Sequence, residues 1–255
     1  MIFDSHAHYD DEAFEEDREE LLNSIPKEGI GRIVNVGASI SSSKASIELA
    51  KEYDYIYASV GVHPSDTGEL NEENYQELCA MMYSEKVVAV GEIGLDYYWD
   101  TPDREIQKKW FVRQLRTAIE KKKPVIIHSR DAAAETLDIM KAEKPWDAGG
   151  VIHCFSYSVE IAKEYLNRGY YIGIGGVLTF QNGKKLKEVA EYTPIEQIVL
   201  ETDCPYLAPV PNRGKRNSSL NLKYVVEALA QIKGMTPQQI EDITFQNACK
   251  LYKMK

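Results

Sequence analysis

The sequence predicts an α/β protein, a (β/α)8 barrel of the TIM type, formed by a single domain over residues 1–255. Three observations support this fold. The chain has 255 residues, and one such barrel typically takes ~250. Short β-branched runs alternate with longer charged stretches of helical periodicity, and eight such runs occur. Strands joined by long crossovers pair in parallel and are covered by helices, as in α/β folds.

The predicted strands are runs rich in β-branched and aromatic residues, which fit a pleated and buried surface. In chain order they lie at residues 2–8, 31–37, 55–62, 87–92, 124–129, 149–154, 170–175 and 197–202. Such nearly continuous apolar runs are typical of strands that are covered on both faces of a parallel sheet.

The stretches between these runs carry charged residues at helical spacing. Helices are predicted at residues 12–28, 42–52, 71–83, 103–122, 131–143, 158–168, 182–192, 221–232 and 236–252. Thr236 before Pro237 has the pattern of an N-cap followed by the first helical residue. Asp131, three residues after His128, is predicted to cap the helix that begins there.

Two other arrangements are compatible with this length, namely two small domains and an open, doubly wound sheet. A doubly wound sheet favours a glycine-rich first turn, whereas the first turn here reads HAHYDDE. One long loop, residues 203–220, contains prolines and a basic cluster. In a barrel this loop follows the last strand, on the face that carries active sites.

The composition restricts the class of partner. Thirty basic residues stand against forty acidic ones, which gives a net charge of −10. This is the wrong sign for a protein that coats duplex DNA, but a local basic loop and bound divalent ions can still receive one phosphate. No stretch approaches the ~18 apolar residues of a membrane span, and the N-terminus has no signal-peptide pattern. We therefore expect a cytoplasmic protein with no membrane partner and infer no obligatory protein partner.

The four cysteines do not indicate a structural scaffold. Cys79, Cys154, Cys204 and Cys249 are far apart and form no CxxC pair. Neither a zinc knuckle nor a disulfide framework is predicted.

Five apolar runs end on residue types that bind metals, which is unusual because buried strands more often stop at Gly, Asn or Ser. The candidate ligands are His6, His8, Glu92, His128, His153 and Asp203. In a strand, residues i and i+2 point to the same side, so the first two histidines can present both imidazoles to one ion. Residues at equivalent strand ends of a barrel form one catalytic rim.

Six ligands are too many for one catalytic zinc ion, which usually takes three protein groups and a water. Two divalent ions ~3.5–4 Å apart use six ligands, and such pairs clamp the attacking and leaving oxygens of an in-line displacement. Mixed nitrogen and oxygen ligands suit Zn²⁺ or Mn²⁺, and suit Mg²⁺ less well at the imidazoles. The sequence predicts two ions and leaves their identity open.

The chain resembles the TatD family of metal-dependent hydrolases in several motifs that follow one another in the family's order. The motifs are HAHYD near the start, GVHP at 61–64, GEIGLDYY at 91–98, PVIIHSRDA at 124–132, HCFS at 153–156, ETDCPYL at 201–207 and NRGKRN at 212–217. The resemblance covers nearly the whole chain. It implies an amidohydrolase-like barrel, a divalent-metal site and deoxyribonuclease activity, in several members as a 3′→5′ exonuclease.

The resemblance also implies roles for single residues. One metal is held by His6, His8, Glu92 and Asp203. The second shares Glu92 and is completed by His128 and His153. Asp203 is placed to take a proton from the attacking water, as a general base does.

Residues outside the ligand set have more than one interpretation. His63 is either a buried core histidine or, as GVHP implies, a group that contacts phosphate or assists the leaving group. Glu201, two residues before Asp203, is expected to support that ligand rather than bind metal. Asp96, Tyr97 and Tyr98 either pack in their loop or stack on a base. The predicted phosphate contacts are Arg130, Arg213, Lys215 and Arg216.

The leading hypothesis is a deoxyribonuclease that acts on single-stranded DNA or DNA ends. The alternative enzyme class is an amide or ester hydrolase, such as a D-aminoacyl-tRNA deacylase, because the same metal chemistry attacks carbonyl carbon. A third class is a non-enzymatic barrel that serves as a binding scaffold, which has no need of six ligand residues. One departure bears on substrate preference: the family motif often continues NRGKRN with Glu-Pro, whereas this chain has Ser218 and Ser219.

Overall fold

The computed structural model describes residues 1–254. Within this range the strands form one parallel sheet in the order β1 to β8. The strands are β1 Ile2–Ala7, β2 Ile30–Val36, β3 Ile56–Val60, β4 Val87–Asp96, β5 Val125–Arg130, β6 Gly150–Ile152, β7 Tyr171–Ile174 and β8 Ile198–Leu200. Ala7 pairs with Cys204 just beyond β8, so the last strand returns beside the first. This sequential order confirms the predicted (β/α)8 fold class.

Helices alternate with these strands as predicted. The α-helices of the described residues are α1 Arg18–Ser24, α2 Ile40–Glu52, α3 Glu72–Met81, α4 Arg104–Lys121, α5 Ala133–Glu143, α6 Val159–Leu166, α7 Lys184–Tyr192, α8 Leu222–Lys233 and α9 Pro237–Leu251. Short 3-10 turns flank α1, so the region predicted as one helix at 12–28 is three shorter pieces. No helix described here is long and apolar enough to cross a membrane.

Contacts divide the chain into two compact units, which we describe separately. The first unit contains residues 1–35 and the chain from Cys154 onward, and the second contains Val36–His153. Phe3 in the first unit packs against Phe245 and Tyr252, with ring centroids 5.7 and 5.9 Å apart. The second unit has its own buried residues, including Phe111 and Leu78. The single domain predicted from the sequence stays a prediction.

The two helix caps predicted from sequence have different outcomes. Thr236 forms a capping box with Gln239 at the start of α9, as its pattern predicts. The prediction for Asp131 is wrong, because Ala132 is the N-cap of α5 and no side chain caps this helix. Asp131 instead adopts a left-handed conformation with φ of 54°, so the helix starts beyond its reach.

Strand β4 is longer than predicted, and this changes the position of one candidate ligand. The sequence predicts that the strand ends at Glu92, whereas β4 continues to Asp96 because it pairs with β5 along its second half. Gly94 permits this pairing, since a Cβ atom at Gly94 would lie only 1.8 Å from the carbonyl oxygen of His128. Glu92 is therefore inside a strand, and Asp96 ends that strand rather than belonging to the loop.

Candidate metal centre

Three predicted ligands lie together in the first unit. His6 is in β1 and His8 follows its end, and their Nε2 atoms are 3.0 Å apart. Oδ1 of Asp203 lies 3.8 Å from Nε2 of His6 and 3.5 Å from Nε2 of His8. The backbone fixes this group, because the amide of Asp203 donates to His6 and the amide of His8 donates to Cys204, both at 2.9 Å.

A buried carboxylate, Asp4, supports this first group from below in the same strand. Asp4 is fully buried and accepts hydrogen bonds from the amide of Thr202 at 3.0 Å and from the hydroxyls of Thr202 and Ser219, each at 2.6 Å. Burial raises the pKa of Asp4 to about 6, although these donors act in the opposite direction. Asp4 thereby connects β1 to both ends of the long loop at 203–220.

The other three predicted ligands lie in the second unit and share Glu92, a buried carboxylate. Its Oε1 atom lies 2.6 Å from Nδ1 of His128 and 3.4 Å from Nε2 of His153. His63 also approaches the same oxygen, with Nε2 at 3.8 Å. The second unit therefore brings together Glu92 and three histidines.

His128 is held between two carboxylates. Its Nε2 atom lies 2.9 Å from Oδ2 of Asp96, while Nδ1 contacts Glu92. Burial alone would lower the pKa of His128, but the hydrogen bonds to Asp96 and Glu92 raise it. Since both partners are acceptors, the metal-free imidazole is stabilised as a cation. A metal ligand must be deprotonated, so an ion at Nδ1 would compete with this proton.

The hydrogen bonds of His63 indicate how its ring can act. Nδ1 accepts the backbone amide of Ser65 at 3.2 Å, so a neutral His63 carries its proton on Nε2. Nε2 is then a donor on the side that faces Glu92. This tautomer suits a hydrogen bond to an anionic oxygen better than a bond to a metal.

The donor set of each unit fits a divalent ion. The first unit offers His6, His8 and Asp203, and the second offers Glu92 with His63 and His128, each set with ligand atoms within 4.8 Å of one another. Ligand atoms around a tetrahedral ion with bonds of ~2.0–2.1 Å lie ~3.3 Å apart, close to the separations observed in both groups. Imidazole and carboxylate together suit Zn²⁺ or Mn²⁺.

Glu201, the predicted supporting residue, is buried in the first unit. Its Oε1 atom accepts the amide of Cys154 at 2.5 Å, which fixes the backbone directly after His153 in the chain. Gly173 leaves the space for this carboxylate, because a Cβ atom there would lie 2.3 Å from Oε2 of Glu201. The geometry gives Glu201 a positioning contact with the backbone.

The four basic residues predicted to contact phosphate are in different environments. Arg216 binds Asp17 through two hydrogen bonds of 2.7 and 2.5 Å and is already neutralised. Arg213 lies over the ring of Phe180 at 4.3 Å, and neither it nor Lys215 forms an ion pair among residues 1–254. Arg130 is exposed at the end of β5 in the second unit.

Two contacts were missed by the sequence analysis. Asp96 was considered only as a loop residue, although it binds His128. Asp4 was not considered at all, although it shares a strand face with His6 and His8 by the same two-residue spacing that selected those histidines. That periodicity was the available signal for Asp4, whereas nothing local identifies the partner of His128.

The eight-stranded parallel fold and the imidazole and carboxylate groups beside its strands define a metal-dependent hydrolase. The family model described as TatD related DNase matches residues 3–253, and the chain belongs to this family. It is 42% identical to an uncharacterized metal-dependent hydrolase, YabD, of Bacillus subtilis strain 168, over 100% of both chains. It is 33% identical to the 3′-5′ ssDNA/RNA exonuclease TatD of Cronobacter sakazakii, over 98% of this chain and 97% of that one.

A solved structure agrees with this assignment. The crystal structure of YjjV, a TatD homolog from Escherichia coli K12, matches with a TM-score of 0.92 at 29% identity. The match covers 100% of this chain and 98% of that one. The family resemblance read from the sequence motifs is confirmed.

Proposed function

We propose that this protein is a divalent-metal-dependent deoxyribonuclease that removes nucleotides from the 3′ end of single-stranded DNA or from DNA ends. The observation that carries the proposal is the Glu92 cluster, in which one buried carboxylate oxygen faces three histidines. Such a carboxylate suits a bridging ligand. The exonuclease relative from Cronobacter sakazakii supports nucleic acid as the substrate.

We infer that two ions are bound. Following the family resemblance, the first is assigned to His6, His8, Glu92 and Asp203, and the second to Glu92, His128 and His153. When bound, a pair of divalent ions supplies Lewis acidity at the phosphate and activates water. The ligand chemistry favours Zn²⁺ or Mn²⁺ over Mg²⁺ at the imidazoles.

The protein residues have separate roles in this proposal. Asp203 accepts the proton of the attacking water, because its carboxylate lies beside both imidazoles of the first group. His63 donates from Nε2 to a phosphate oxygen or to the leaving oxygen. Glu201 positions backbone, and Arg130, Arg213 and Lys215 supply the positive field that an acidic chain needs to receive an anion. Arg216 holds the loop through Asp17 and contributes less of this field.

The proposal is tested with single-stranded DNA labelled at its 5′ end and protein reconstituted with Mn²⁺ or Mg²⁺. We expect a ladder of products that shortens from the 3′ end with time. Asp203→Asn, which keeps the size of the side chain, should remove the ladder. Protein that contains metal and leaves the DNA intact would overturn the proposal, and the deacylase alternative would then be assayed on D-aminoacyl-tRNA.

A further inference from the structure

We propose that Tyr98 and Trp99, here called the aromatic pair, form a stacking site for an unpaired nucleobase, with Arg130 as the adjacent cation. This inference deepens the proposed function and rests on it. It names single-stranded nucleic acid with intact bases as the preferred substrate class. All three residues belong to the second unit.

The aromatic pair is exposed in a way that leaves ring surface available. Tyr98 and Trp99 are 56% and 63% exposed. Their ring centroids are 5.2 Å apart and the planes are nearly perpendicular, at 88°. Two large rings at adjacent positions therefore face solvent, where their apolar faces gain from being covered by another flat ring.

Arg130 adds a positive charge to this surface. Its guanidinium carbon lies 3.8 Å from the ring centroid of Tyr98. Within residues 1–254 it forms no ion pair with a carboxylate, unlike Arg104 nearby, which binds Asp100 through two hydrogen bonds. A free guanidinium in a chain of net charge −10 is suited to a phosphate or to a stacked base.

One buried carboxylate holds the aromatic pair next to the metal-ligand cluster. Oδ1 of Asp96 accepts the amides of Tyr98 at 3.0 Å and Trp99 at 3.1 Å. Oδ2 of the same residue contacts Nε2 of His128 at 2.9 Å. The backbone that carries the rings is therefore fixed relative to His128, a predicted metal ligand. A nucleotide stacked on the pair would have its phosphate close to the reacting centre.

The chemistry of stacking explains a preference for single strands. Every base has a π-face, so an aromatic side chain accepts all four bases with little sequence preference. In a duplex those faces are already covered by neighbouring base pairs, and exposing one requires unstacking. The aromatic pair would thus favour ends and single strands without reading their sequence.

The test compares substrates that differ only in their bases. One oligonucleotide has normal bases at its 3′ end, and the matched one has abasic sites there. Trp99→Ala and Tyr98→Ala should raise KM for the normal oligonucleotide roughly tenfold, within the range that stacking of one base provides. They should leave KM for the abasic oligonucleotide unchanged. Trp99→Phe should restore most of the affinity, because it keeps an aromatic face.

Tyr83→Ala is the matched control, since Tyr83 is also exposed, at 71%, in the same unit but away from β4 and β5. It should not change KM for either oligonucleotide. Equal KM values for the wild type and Trp99→Ala on the normal oligonucleotide would overturn the inference. So would an increase that is the same for the abasic substrate, because it would indicate a merely structural effect.

A binding measurement separates this inference from the proposed function. Asp203→Asn protein is titrated with the normal and abasic oligonucleotides while tryptophan fluorescence is recorded, and the Asp203→Asn/Trp99→Phe double variant serves as the control. Trp110 is buried, at 2% exposure, so quenching that disappears in the double variant reports Trp99. Quenching by the normal oligonucleotide without any cleavage by the wild type would support stacking and overturn the nuclease. Cleavage without quenching would support the nuclease and overturn stacking.

Discussion

The hydroxyl of Ser219 donates a hydrogen bond of 2.6 Å to Oδ2 of Asp4, across 215 positions of the sequence. The hydroxyl of Tyr9 lies 2.8 Å from the same Ser219 oxygen and accepts the Ser219 amide at 2.9 Å. The family motif commonly has proline at this position, which has neither a hydroxyl nor an amide hydrogen. This chain therefore closes its basic loop onto β1 with contacts that a proline cannot make.

We expect Ser219→Ala to lower the free energy of unfolding by about 1–3 kcal/mol, because it removes one donor from a buried carboxylate. Chemical denaturation at neutral pH measures this change. Ser218→Ala is the matched control, since Ser218 is partly exposed and its amide bonds to the side chain of Asn217. Equal effects of the two substitutions would contradict the importance of the Asp4 contact.

Asp4 should make stability depend on pH in a defined direction. Burial raises its pKa to about 6 in the folded protein, whereas an unfolded Asp titrates near ~3.9. The folded state then binds the proton more tightly, so this contribution to stability is complete below pH ~4 and lost as the pH rises through about 6.

Urea denaturation of metal-free wild type and Asp4→Asn between pH 4 and 7 tests this sign. The stability of the wild type relative to Asp4→Asn should fall as the pH rises. Asp17 provides a comparison of opposite sign, because its hydrogen bonds to Arg216 lower the pKa of its carboxyl. Its smaller, exposed contribution should be lost as the pH falls. A constant difference between wild type and Asp4→Asn would show that Asp4 does not titrate in this window.

Asp96→Asn should weaken metal binding at the Glu92 cluster by roughly 10- to 100-fold, because partners that orient a ligating histidine have effects of that size. The dissociation constant is measured by competition with a chromophoric chelator. Asp100→Asn is the control, since Asp100 is an exposed carboxylate nearby that binds Arg104. Unchanged affinity in Asp96→Asn would mean that the contact with His128 does not position the ligand.

Metal analysis of protein purified without chelator should give about two ions per chain, as expected for a two-ion site. Treatment with EDTA should remove hydrolysis, and Mn²⁺ or Zn²⁺ should restore it. His6→Ala and His128→Ala should each reduce the metal content. One ion per chain with full activity would refute the two-ion assignment.

The double substitution Arg213→Ala/Lys215→Ala should raise KM for DNA and flatten its dependence on salt, by ~0.7 in the logarithmic slope for each lost phosphate contact to a single strand. Arg216 is kept because it anchors the loop to Asp17. A double variant of two exposed lysines outside the loop, Lys27→Ala/Lys250→Ala, is the control. If both variants have the same salt slope, the loop does not contact phosphate.

Local patterns in the sequence were sufficient for the fold class and for the identity of the ligand residues. Strands and helices have different periods, so alternating patterns predicted eight strands, all of which are present in the described residues. The two-residue period of β1 selected His6 and His8 together, and the capping pattern at Thr236 predicted the start of α9 correctly. These features depend on neighbours within a few positions.

Tertiary structure alone decided which partners those residues have. Pairing with β5 carries β4 on to Asp96, which places that carboxylate against His128. Packing of distant segments pairs Asp4 with Ser219 and Arg216 with Asp17. The physical reason is that hydrogen bonds and ion pairs depend on distances of a few ångströms, and in a chain folded by long-range contacts those distances are not encoded in any local pattern.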